Sequence, residues 1–179
     1  AMTFWRRRSP LLKSPYNTAR VAAFRRLFPG ARFIHICRHP YATYSSNLHL
    51  AKAGFVAFQL QEPDPNDNYT TRFLAGYRRL EDAFYRDAAR LPPQSIAEVR
   101  YEDLTADPLA EVQRLYAELG LEYTATFDQR LRRYLAGVAD YTRNQHRELP
   151  PAITTAIDSQ LGPYLDWWGY REPARRRAA

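Results

Sequence analysis

Two periods of hydrophobicity alternate along the chain. Residues 32–37 (RFIHIC) and 95–100 (SIAEVR) are short runs rich in β-branched residues, and the first is apolar on both faces, as a buried parallel strand is. A third run, 10–13 (PLLK), predicts a further short strand. Elsewhere apolar positions recur at helical spacing. Thr18 is placed to cap a helix through Phe28, with Val21, Phe24, Arg25 and Phe28 on one stripe and Pro29-Gly30 as its stop. A helix over about 41–52 follows, with Pro40 in its first turn. Residues 69–90 form a long helix with Phe73, Tyr77, Leu80 and Phe84 on one face, ended by Leu91-Pro92-Pro93. Asp107-Pro108 opens another helix, which Gly120 closes, and two more are expected at about 126–141 and 151–167.

Strands alternating with helices predict an α/β domain with a parallel sheet, its later helices packed across the strands. Chemistry in such sheets gathers at the C-terminal strand ends. Those ends are Lys13-Ser14-Pro15, Arg38-His39-Pro40 and Tyr101-Glu102-Asp103, all polar. Residues 54–68, which include Pro63-Asp64-Pro65-Asn66-Asp67, are loop by composition and are the candidate for a mobile or substrate-facing insertion.

Composition narrows the function classes. With 179 residues, 45% hydrophobic and 25% charged, one globular domain over about 9–170 is expected, with basic ends at 1–8 and 171–179. Ala1 precedes a Met2 expected to open the reading frame and is set aside. The net charge of +7 suggests nucleic acid, but Arg6, Arg7, Arg8, Arg175, Arg176 and Arg177 account for most of it. The body is nearly neutral, so no specific nucleic-acid partner is expected. Apolar runs are too short for a membrane span, and the N-terminal arginines lack a following apolar stretch, so a cytoplasmic protein without membrane association is expected. Cys37 is the single cysteine, which excludes an internal disulfide or a multi-cysteine metal site. No G-x-x-x-x-G-K-[ST] occurs, which argues against an NTPase or kinase.

The candidate chemistry is cationic. Arg38 follows a buried strand and precedes a helix N-terminus, with Ser46 two turns into that helix, a guanidinium and a hydroxyl placed to suit a phosphate monoester. An arginine satisfying local carbonyls explains the same spacing equally well. Lys13 is placed to stabilise charge on a transferring group, or to be a solvated lysine at a sheet edge. His35 alternates with Phe33 and Cys37 along the strand, so a satisfied buried histidine and a core cysteine are expected.

Taken in order, the residues LLKSP (11–15), FPGARFIH (28–35), Arg38-His39-Pro40, Ser46, VRYEDL (99–104), Asp107-Pro108, Leu119-Gly120-Leu121 and Trp168-Gly169-Tyr170 resemble the superfamily of sulfotransferases that use 3′-phosphoadenosine-5′-phosphosulfate (PAPS), in its bacterial branch. The resemblance spans about residues 9–170. It implies a P-loop-NTPase-like three-layer α/β fold with a short parallel sheet and a helix-rich C-terminal half. It also implies in-line transfer of a sulfuryl group from PAPS to a hydroxyl or amine of a small-molecule or glycan acceptor, without a metal. By residue, it assigns Arg38 and Ser46 to the 3′-phosphate, Tyr101 to the adenine region, Lys13 to the sulfuryl group and Arg143 to a late basic segment over the 3′-phosphate. Glu102 and Asp103 would brace the strand and its loop.

Two features depart from the family pattern. Nothing matches the opening strand and phosphosulfate loop, and the seven glycines never come closer than seven residues to one another, so no cradle of loop N–H groups is expected. The fold is therefore expected to be truncated at its N-terminus, with an uncovered edge that a homodimer or strand-exchanged assembly would cover. In addition, Pro15, Tyr16 and Asn17 stand where relatives carry a histidine base; His39 and His49 are the nearest substitutes. The alternative function is a non-catalytic nucleotide-binding or partner module derived from a sulfotransferase.

Overall fold

A computed structural model describes residues 10–54, 64, 67–140 and 148–171. Among these, two strands, β1 (Phe33–Cys37) and β2 (Ile96–Arg100), pair in parallel, from Phe33 opposite Ile96 to Cys37 opposite Arg100. The connection between them contains α2 (Pro40–Ala53) and α3 (Tyr69–Ala88). Because paired residues share a face, His35 stands beside Glu98, and Ile34 and Ile36 beside Ala97 and Val99.

Each face carries helices. On one, Ala97 and Val99 pack with Leu115 and Leu119 at the C-terminal end of α5 (Pro108–Glu118). On the other, His35 stacks on Phe84 of α3 at 4.0 Å, close to Trp168 just past α7 (Pro151–Trp167). The main helical core joins Tyr44 of α2, Leu74 of α3, and Ile157 and Leu161 of α7. The result is the layered α/β arrangement with a short parallel sheet and a helix-rich second half that the alternation of elements predicts. Capping explains where the helices start. Asn68 Oδ1 accepts the Thr71 N–H, Asp107 Oδ1 that of Ala110, and Thr124 Oγ1 that of Phe127 at the start of α6 (Ala125–Gly137). No helix of the described residues is long and apolar enough to cross a membrane.

Several expectations need correction. Residues 10–13 form no strand: the segment runs unpaired into a 3-10 turn (Pro15–Arg20), with Leu11 90% exposed. A strand needs a ladder partner; none lies beside this segment among the described residues, and Pro10 and Pro15 lack N–H donors. The helix expected from Thr18 is that turn followed by α1 (Val21–Leu27). A short helix, α4 (Tyr101–Ala106), was not expected; it opens directly at the end of β2. Residues 55–63 and 65–66 of the expected loop, together with 141–147, lie outside the described residues.

Beside the covered half of the α5 face, Ile34 and Ile36 of β1 are 42% and 52% exposed. The layer over β1 is thus thinner than the layer over β2.

Candidate functional site

The β1–β2 pairing brings two strand ends together. Arg38 leaves β1 and Tyr101 leaves β2, and the Arg38 guanidinium lies over the Tyr101 ring, 4.6 Å from its centroid. Arg38 is half-buried, forms no ion pair among the described residues, and its Nε is a buried donor with no acceptor. A buried donor of this kind is normally matched by an acceptor, and a cation lacking a carboxylate suits an anionic one.

The loop after β1 is held by Glu102. One of its carboxylate oxygens accepts the His39 backbone N–H at 3.2 Å, and the other accepts the Tyr170 hydroxyl. Tyr170 reaches it because Gly169 turns the chain back at the end of α7 with φ +68°, a left-handed conformation that side-chain-bearing residues seldom adopt. The Tyr170 N–H returns to the Leu165 carbonyl at 2.8 Å, completing the turn. Arg100 then donates to the Gly169 carbonyl at 3.3 Å, pairs with Asp103 at 3.0 Å and lies 5.0 Å from the Tyr170 ring centroid. Arg100 and Glu102 are therefore engaged, whereas Arg38 makes no ion pair among the described residues. Burial, and then the bond to Glu102, push the Tyr170 phenol above its ordinary range, so it remains a donor.

His39 caps α2: its Nδ1 accepts the Tyr41 N–H at 3.2 Å, and its ring lies 4.8 Å from both Tyr41 and Tyr170. Burial lowers its pKa below the usual histidine value, against the pull of Glu102 and Asp158. Neutral, with Nδ1 occupied as an acceptor, His39 carries its proton on Nε2 and is a hydrogen-bond donor there. That tautomer does not suit a general base at Nε2.

Ser46 is half-buried on α2, about 9 Å along the helix axis from Pro40 at 1.5 Å per residue. Lys13 is exposed on the unpaired segment, not at a strand end, and makes no ion pair or hydrogen bond to Arg38, Ser46 or Tyr101 among the described residues. Arg143 lies outside the described residues. His49 is exposed near the end of α2.

Behind the strand ends sits a buried charge cluster that sequence reasoning only half anticipated. His35 is indeed buried and satisfied, with Nδ1 2.7 Å from Glu98 and Nε2 3.3 Å from Glu81. The Tyr85 hydroxyl donates to Glu98 at 2.6 Å and accepts the Trp168 indole N–H at 2.6 Å. Burial alone would lower the His35 pKa, but the two carboxylates outweigh it and hold it at about 9. His35 is thus an imidazolium at neutral pH. The visible signal was Glu81, a carboxylate one turn before Phe84 at an otherwise apolar position of α3. Cys37 is core, as expected: buried, 3.5 Å from the Val99 carbonyl, its thiol pushed to about 12 by burial and then by Glu98. It is not a nucleophile.

A parallel α/β sheet that sets an arginine without an ion pair among the described residues beside a tyrosine at adjoining strand ends is suited to receiving an anion. The chain belongs to the Sulfotransferase family, whose model matches residues 3–125. It is 37% identical over 183 residues to the omega-hydroxy-beta-dihydromenaquinone-9 sulfotransferases Stf3 of Mycobacterium bovis and Mycobacterium tuberculosis, covering 98% of this chain and 46% of those proteins. The fold matches the crystal structure of sulfotransferase STF9 from Mycobacterium avium with a TM-score of 0.67 at 21% identity, over 87% of this chain and 41% of that one. The chain thus spans about half the length of the curated relatives it matches.

Proposed function

We propose that this chain carries the 3′-phosphate half of a PAPS site in a sulfotransferase acting on a hydroxyl of an apolar small molecule. The single observation that carries this reading is Arg38, a half-buried guanidinium with an orphaned Nε, next to Tyr101 and at the foot of α2. Arg38 and Ser46 would hold the 3′-phosphate, and Tyr101 would lie toward the adenine. Glu102 and Tyr170 keep the Arg38–His39 loop in place without competing for the anion. When bound, the donor supplies the sulfuryl group. The acceptor class follows the relatives, whose acceptor is a menaquinone derivative.

Calorimetric titration with adenosine 3′,5′-bisphosphate tests this. The unaltered chain is expected to bind, and Arg38→Ala to weaken binding about ten-fold or more, since a charge-assisted hydrogen bond contributes roughly 1.5–3 kcal/mol. Adenosine 5′-monophosphate, which lacks the 3′-phosphate, is expected to show no such difference. Bisphosphate affinity indifferent to Arg38 would overturn the assignment.

A second reading, a nucleotide-binding module without turnover, is favoured by Lys13, which is exposed on an unpaired segment and not held at a strand end. Sulfuryl transfer assayed on the 179-residue chain alone separates the two: turnover lost on Lys13→Ala supports the enzyme, and binding without turnover supports the module.

A further inference from the structure

A groove of about 710 Å³ lies between α3 and α7, along the edge of β2 that has no strand partner among the described residues. Its walls are Tyr85, Ala88 and Ala89 from the end of α3, Ile96 of β2, and Tyr164 and Trp167 of α7. Trp167 is 70% exposed and meets the Tyr85 ring edge-on at 5.5 Å. The volume falls within the range of small-molecule pockets.

The carboxylates around the groove are already engaged. Asp82 accepts the Tyr164 hydroxyl and stands 3.7 Å from Arg78. Glu98 is held by His35 and Tyr85, and Glu118 pairs with Arg114 at 2.5 Å. None is left to select a charged ligand. A β-strand is not the natural occupant either. The Glu98 carbonyl, which a strand added at this edge would need, accepts Arg114 Nη2 at 2.9 Å. What the groove offers is mainly aromatic and aliphatic surface, with its carboxylates engaged by neighbouring side chains.

We propose that this groove holds the uncharged, apolar body of the acceptor, a prenyl or alkyl chain, while its hydroxyl extends toward the end of β2. The inference rests on the sulfotransferase reading above and adds where the acceptor lies. Glu98, at the groove, is three residues from Tyr101, about 10 Å of extended chain, a span that a chain of a few prenyl units covers. An apolar chain gains from burial here at no cost in unpaired charge.

The test is equilibrium binding of tritiated farnesol to the whole chain, alongside titration with adenosine 3′,5′-bisphosphate. Saturable binding at one site is expected. Ala89→Trp, which fills the groove, should weaken it ten-fold or more, and Trp167→Ala about five-fold. Both variants should bind the bisphosphate as the unaltered chain does. Non-saturable farnesol binding, or affinity unmoved by the substitutions, overturns the proposal. So does a chain that self-associates through this face, shown by Ala89→Trp dissociating a dimer that binds no farnesol. Should Ala89→Trp fail to fold, Trp167→Ala decides, because its side chain is mostly in solvent. The two readings fail separately. Bisphosphate binding without farnesol binding removes only the groove, and farnesol binding that responds to the substitutions without bisphosphate binding removes only the nucleotide site.

Discussion

His35→Phe is expected to destabilise the fold by about 3–5 kcal/mol, measured by urea denaturation at neutral pH, because removing the cation strands the buried Glu81 carboxylate. Glu81 is 4% exposed and faces His35, itself 6% exposed. Without the imidazolium, Glu81 has no other ion-pair partner among the described residues, whereas Glu98 keeps the Tyr85 hydroxyl and is partly open to solvent. The paired replacement His35→Phe with Glu81→Leu should recover much of the loss, since neither charge then needs desolvating. A single replacement no more costly than the double would count against the buried pair. The same cluster sets a pH window. The folded His35 pKa is raised, from 6.5 to about 9, so its contribution is complete below pH 6.5 and is lost as pH rises through 9. Glu98 acts with the opposite sign. Burial would raise its pKa, but the bonds from His35 and Tyr85 lower it below 4.5, so its contribution is present above that value and is lost as pH falls further. Urea midpoints across pH 4–10 should therefore peak between these limits. Stability that climbs steadily from pH 7 to 10 would contradict the cluster.

Leu161→Ala should cost roughly 2–5 kcal/mol, the range for emptying a buried leucine site. Leu161 is fully buried in α7 among Tyr44, Leu74 and Ile157, each from a different stretch of chain, so truncation opens a cavity that no single helix can close by shifting. For a chain of this size that corresponds to a fall in Tm of about 4–20 °C. Leu11→Ala is the matched control. At 90% exposure it should stay within about 0.5 kcal/mol, and calorimetric melting of the two variants gives the comparison directly. Equal losses would mean that the N-terminal segment is packed and not in solvent.

Helices were the most legible elements because their signals are local. Pro151 opens and Trp167 ends α7 as the apolar spacing requires, and the Asn68, Asp107 and Thr124 caps lie within four residues of the bonds they make. The segment 10–13 carries a strand's composition but not a strand's neighbour, and pairing is not a property of four residues. The short α4 was hidden because its first residues, Tyr101-Glu102-Asp103, are the ones that mark a strand end. Arg38, Ser46 and Tyr101 could be named from motif order. Lys13 could be named too, but the strand it was expected to end is an exposed, unpaired segment.

By itself, the sequence determined the class of fold, the family and the residue types at the strand ends, since period, punctuation and motif order are written in neighbouring positions. The tertiary structure alone decided what those residues meet. Arg38 and Tyr101 are 63 positions apart and touch only because β1 and β2 pair in one register. Glu81 and Glu98 turn His35 into a buried cation only because α3 crosses the sheet above it. Tyr170 reaches Glu102 only through the left-handed turn at Gly169. Charge state, burial and hydrogen-bond partner are set by contacts between distant segments, and those contacts come into being with the fold.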